Sequence, residues 1–136
     1  MSAGDYEEDG FFGSFRAFVG NGRLILSDVN SVETHAEWAG DSEIHATPDS
    51  IYLYVQHPVD GPVTVDLFEG DSPDLALAGA ALFDGTIPSL HGEFVLHDPA
   101  EGIKLQAITD RPGPARLRIS GDDVSRPAIV RFQIWY

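Results

Sequence analysis

Turn-forming residues punctuate this chain every eight to twelve positions, and no other feature restricts its folding as much. Between them lie short runs in which apolar and polar side chains alternate, the pattern of half-buried β-strands. "SIYLYVQ" sets Ile51, Leu53 and Val55 on one face and Tyr52, Tyr54 and Gln56 on the other. "PVTVDLFE" does the same with Val63, Val65 and Leu67 against Thr64, Asp66 and Phe68. No run has the length and 3.6-residue period of an amphipathic helix. "LALAGAAL" alone fits a strand and a short helix equally. The spacing predicts an all-β fold, an antiparallel β-sandwich of eight to ten short strands in two packed sheets.

Turn chemistry suggests the pairings. "GNG" between "SFRAFV" and "RLILSD" reads as a type I′ hairpin, since Asn-Gly accepts positive φ. Pro48-Asp49 turns "EIHAT" into "SIYLYVQ", and Asp84-Gly85 reads as a hairpin after "LALAGAALF". "GEFVLHD" pairs with "IKLQAI" across "PAEG", and "ARLRIS" with "AIVRFQIWY" at the end of the chain. In that last pair Leu117 and Ile119 face Val130, Phe132 and Ile134, leaving Arg116, Arg118, Arg131, Gln133 and Trp135 on the opposite surface.

The 136 residues suit one domain, residues 14–136, preceded by a flexible acidic segment at 1–13 whose Phe11 and Phe12 could tuck onto the body. The absence of cysteine removes thiol catalysis, zinc–thiolate sites and disulfides. "MSAGDYEEDGFF" has neither the basic nor the apolar region of a signal peptide, so a cytoplasmic location is expected. Twenty-two acids against eight bases give a net charge of −14, which disfavours nucleic acid and anionic membranes and favours a basic protein as partner.

The charge is unevenly distributed. Residues 1–103 hold nineteen acids and two bases, whereas residues 104–136 hold three acids and six bases. The closing hairpin would bring Arg116 near Arg131, and like charges on facing strands repel. Neutralisation by outward acids such as Asp66 or Glu69 is therefore expected. The alternative is a cationic patch of Arg116, Arg118, Arg131 and Trp135 left open to a ligand or partner. Tyr52 and Tyr54, with Phe68 nearby, suggest an aromatic protein-binding face on an opposite surface.

Motifs for catalysis are missing. Neither "GFFGSF" nor "GNGR" has the setting or the Lys-Ser/Thr ending of a phosphate loop, and no serine nucleophile elbow occurs. His35-Ala-Glu37 and His91-Gly-Glu93, with His97, each offer fewer than the three converging ligands a transition metal needs. Acidic loops are a separate matter. "FEGDSPDL" places Glu69, Asp71 and Asp74 together, and "SGDDVS" adds Asp122 and Asp123, oxygen donors of the kind calcium accepts. Solubilising turn residues are the expected reading there, and no cofactor is expected.

The order of segments resembles a known family. An aromatic first strand "FRAFV", a "GPVTV" strand, "GEFVLHD", a proline-glycine turn into "ARLRIS" and an aromatic-apolar last strand are similar to the β-sandwich proteins related to competence protein J, a bacterial nuclease inhibitor. The resemblance spans residues 14–136, with Ala115 standing where a bulky aromatic is usual. It implies a non-catalytic inhibitor or immunity-type protein that binds a basic enzyme. "VTVDLFEGD" and "LRIS" also resemble bacterial pre-peptidase C-terminal domains, which would imply a secreted accessory module. The reading from another class is a calcium- or small-ligand-binding module built on the acidic loops.

Overall fold

Ten strands stack into two five-stranded sheets in the computed structural model, which describes residues 11–31, 44–72, 80–99, 102–109 and 111–136. The strands are β1 (Phe11–Ala17), β2 (Arg23–Asp28), β3 (Ile44–Thr47), β4 (Ser50–Tyr54), β5 (Val63–Glu69), β6 (Ala80–Ser89), β7 (Glu93–His97), β8 (Lys104–Ile108), β9 (Gly113–Gly121) and β10 (Ile129–Trp135). The first sheet runs β1-β5-β10-β9-β6 and the second β3-β4-β2-β7-β8. Among the described residues no helix is long and apolar enough to cross a membrane.

The alternation in the sequence becomes the core. Leu24 and Leu26, Ile51, Leu53 and Val55, Val63, Val65 and Leu67, Leu117 and Ile119, and Val130, Phe132 and Ile134 are all buried between the sheets. Each comes from an i, i+2 series, because successive side chains of a strand point to opposite faces. Ala115 is buried opposite Ile87 of β6.

Three expected hairpins form: β3–β4, β7–β8 and β9–β10. Two others do not. Asn21 and Gly22 adopt the expected positive φ values, 58° and 62°, but the strands on either side enter different sheets. β1 pairs with β5, and β2 with β4 and β7. The turn is a corner in which Val19 is buried and Gly22 meets the end of β4, its carbonyl accepting from Val55 N. A Cβ on Gly22 would stand 2.9 Å from the Val55 carbonyl oxygen. Gly22→Ala therefore combines left-handed strain with a backbone clash, and an urea titration should show a loss of about 1–3 kcal/mol.

Asp84-Gly85, the second turn signal, lies within β6. That ten-residue strand pairs with β9 from Ala80↔Gly121 to Ser89↔Gly113, and the Phe83 ring lies over Gly85. Long-range pairing overrides the local preference, since a ladder of this length offsets one glycine. β5 and β10, far apart in the chain, run parallel, while the other strand pairs among the described residues are antiparallel. The 75–79 part of "LALAGAAL" and residues 1–10 of the expected flexible segment lie outside the described residues. Phe11 already belongs to β1, where its ring stacks 5.2 Å from that of Phe68, and Phe12 packs against the core.

Candidate partner-binding surface

The outer face of the first sheet carries the C-terminal arginines. β9 and β10 pair with Arg116 opposite Trp135, Arg118 opposite Gln133 and Arg131 opposite Ser120. Arg116 is thus not beside Arg131, as a tighter hairpin would have made it. The connection is longer because Asp122 closes it, its Oδ1 accepting from Ala128 N and Ile129 N, while Asp123 Oδ1 accepts from Val124 N. The loop's two carboxylates cap their own backbone, the ordinary use of aspartate in turns.

The like charges are separated and paired. Arg131 on β10 reaches Asp66 on the parallel neighbour β5, Nε to Oδ2 3.3 Å. Arg116 reaches Asp84 on β6 at 3.4 Å. Asp66 is the acid the strand alternation singles out, so internal neutralisation holds for these two arginines. Both pairs are partly solvated and each contributes no more than about 1 kcal/mol. Arg118 is held differently. Its Nη1 donates to the Asp71 carbonyl at 3.3 Å and to Gln133 Oε1 at 3.4 Å. Among the described residues it has no carboxylate partner.

Trp135 ties the arginines together. The Cζ atoms of Arg116 and Arg118 stand 5.5 and 5.0 Å from its ring centre, within cation–π range. One aromatic side chain faces two guanidinium groups because Arg116 is directly opposite and Arg118 lies two positions along the same face. Tryptophan and arginine are the residues most often dominant in protein–protein contacts.

Gln133 was placed on this surface by alternation, yet it is 0% exposed. The chain leaving β5 folds over it, and Gln133 Nε2 donates to the carbonyls of Gly70 and Ser72. Nothing local in the sequence marks a glutamine as an anchor for a connection sixty residues away.

Tyr52 and Tyr54 lie on the outer side of the second sheet, the opposite surface expected for them. Phe68 is not near them, since β5 belongs to the first sheet. Tyr52 is only 8% exposed, so it cannot be the open contact residue expected. The Arg23 guanidinium is held above its ordinary pKa chiefly by the Tyr52 hydroxyl, against the opposing effect of burial. Tyr54 remains partly exposed, with the Cζ of Arg126 4.2 Å and that of Arg23 5.5 Å from its ring centre. Arg126 comes from the β9–β10 loop, which meets the chain just beyond β4 through the Gln56 N to Pro127 carbonyl bond. Two arginines distant in sequence therefore converge on one tyrosine, a cluster that only the loop's path creates.

Of the proposed calcium donors, Glu69 ends β5 and Asp71 follows it, its carbonyl engaged by Arg118, while Asp74 lies outside the described residues. His91 sits in the β6–β7 turn and His97 Nδ1 contacts the Asp98 carbonyl at 2.7 Å. His35 and Glu37 lie outside the described residues. Among the described residues no three metal-ligating side chains gather.

No family model matches this sequence, and no curated protein does. Solved structures do match. ComJ from Bacillus subtilis, the inhibitor of the DNA-degrading activity of NucA, superposes with a TM-score of 0.66 at 7% identity, over 93% of this chain and 97% of that one. The fold is ComJ-like. The product of crocagin biosynthetic gene J matches with a TM-score of 0.55 at 12% identity, over 94% of this chain and 96% of its own. At these identities the likeness lies in the path of the backbone, which in each case runs almost end to end.

Proposed function

We propose that this chain is a non-catalytic, acidic β-sandwich that binds a basic protein in the cytoplasm and inhibits it, a nucleic-acid-degrading enzyme being the leading class of partner. One observation carries the reading: the ComJ-like architecture spans 93% of this chain and 97% of that neighbour. Charge agrees. A surface of net charge −14 attracts a protein that carries positive potential for binding phosphates, and it competes with the polyanionic substrate for that potential. Trp135 on one face and Tyr54 on the other supply aromatic groups suited to the contact, and Arg116 and Arg131 are already paired with Asp84 and Asp66.

The reading is tested with purified protein added to a cytoplasmic extract of the source organism that degrades plasmid DNA. Degradation should fall at least tenfold in low salt and recover as sodium chloride rises toward about 1 M, where the Debye length shrinks to about 3 Å. Undiminished degradation at every protein concentration would sink the proposal.

A further inference from the structure

At one end of the sandwich a pocket of about 410 Å³ opens between the last residue of β2, the β3–β4 turn and the end of β6. Its size lies within the range of about 300–1,000 Å³ typical of ligand sites. The carboxylates of Asp28 and Asp49 and the hydroxyl of Ser89 form its polar side. Pro88, Leu90 and Pro112 form the apolar side, with Leu90 71% exposed at the rim.

Asp28 is the unusual member. It continues the inward series Leu24, Leu26 and is only 6% exposed. Ser89 Oγ donates to its Oδ1 and Asn30 N to its Oδ2, at 3.0 Å for the latter. Ser89 Oγ in turn accepts from the backbone N–H groups of Gly92 and Glu93, so its proton is committed to Asp28. Asp49 Oδ1 accepts from Ser31 Oγ at 2.8 Å, and its carbonyl accepts from Asp28 N, which fixes the two aspartates side by side. Among the described residues no arginine, lysine or histidine comes within ion-pair distance of either carboxylate. A buried anion with no cation beside it is expensive, and the half-buried Asp49 sets a second carboxylate on the same side of the pocket. Each carboxylate oxygen retains lone-pair capacity beyond these bonds.

We propose that this pocket receives an arginine side chain of the basic protein partner, its guanidinium against Asp28 and Asp49 and its methylenes against Pro88, Leu90 and Pro112. Arginine fits better than lysine. Its planar, weakly hydrated head forms paired bonds to carboxylates and lies well against flat apolar walls. Leu90 would exclude water at the rim, the role of the surround of a binding hot spot. The proposal rests on the inhibitor reading for the identity of the guest, whereas the pocket's preference for a guanidinium is independent of it.

The experiment separates the two. Nitrogen-15-labelled protein is titrated with N-acetyl-arginine amide and with its neutral isostere, N-acetyl-citrulline amide. Saturable shifts are expected at the amides of Asp49, Ser89, Leu90 and Gly113 with arginine, and binding at least about fivefold weaker, equivalent to about 1 kcal/mol, with citrulline. Asp49→Asn should weaken arginine binding by a similar factor; a urea midpoint close to that of the parent would confirm that the variant is folded. No saturable shift at the pocket, or equal binding of citrulline, would overturn the proposal. The same variant is then compared in the plasmid-degradation assay. If the parent inhibits and Asp49→Asn inhibits at the same concentration, the pocket does not receive the partner and the inference fails while the inhibitor reading stands. If arginine binds the pocket but the parent inhibits nothing, the inhibitor reading fails and the guanidinium site stands.

Discussion

Phe132→Ala is expected to cost about 3–5 kcal/mol, the range for deleting a fully buried phenylalanine. Phe132 sits on β10, a strand bonded on both sides, to β5 and to β9. Its ring is fully buried and opposes Ile119 on β9 and Leu67 on β5, both also buried. Removing it leaves a cavity that two flanking ladders prevent from collapsing, so the upper part of the range is expected. For a domain with a total stability of about 5–15 kcal/mol, the loss is about a quarter of the whole or more. A urea titration followed by tryptophan fluorescence measures it. Ile129→Ala on the same strand, where the side chain is partly exposed, should shift the midpoint far less. Equal effects of the two substitutions would contradict the placement of Phe132 at the centre.

Gln133→Leu should cost about 2–4 kcal/mol although it keeps the side chain's size and raises its hydrophobicity. The reason is the two carbonyls that Gln133 Nε2 serves, on Gly70 and Ser72, together with the Oε1 that accepts from Arg118. Leucine leaves the two carbonyls without this donor in a place water reaches poorly, and takes from Arg118 one of its two acceptors. Hydrogen exchange adds a local readout: the amides of residues 70–72 should exchange faster while those of β2 and β7 keep their protection relative to global unfolding. A midpoint at or above that of the parent would mean the anchoring bonds contribute nothing, and the connection over β10 is held by other contacts.

The strand interiors and most of the core were legible because alternation is a local property. Val63, Val65 and Leu67 declare their shared face within one strand, and so do Val130, Phe132 and Ile134. The three hairpins β3–β4, β7–β8 and β9–β10 were legible for the same reason, each joining neighbours through a short connection. Which sheet a strand joins is not local. Asn21-Gly22 supplied the right backbone angles, but the burial of Val19 and the approach of Gly22 to Val55 make it a corner between sheets. Asp84-Gly85 carries a turn signal that nine residue pairs with β9 outweigh. Alternation is also blind to strand direction, so the parallel β5–β10 pair could not be read from it.

The candidate surface divides in the same way. The sequence by itself determined that the protein is an all-β sandwich with an acidic body and a basic closing hairpin. It determined too that Arg116, Arg118, Arg131 and Trp135 share one face, and that Asp66 stands outward to meet a cation. Period-two alternation and residue counts suffice for those statements. The tertiary structure alone decided the register that sets two arginines against Trp135, the burial of Gln133, the meeting of Arg23 and Arg126 at Tyr54, and the pairing of Asp28 with Asp49 at an open pocket. These depend on contacts between residues tens of positions apart. Such contacts form because two apolar sheet faces must cover each other, and no short stretch of sequence records where that closure brings its polar edges.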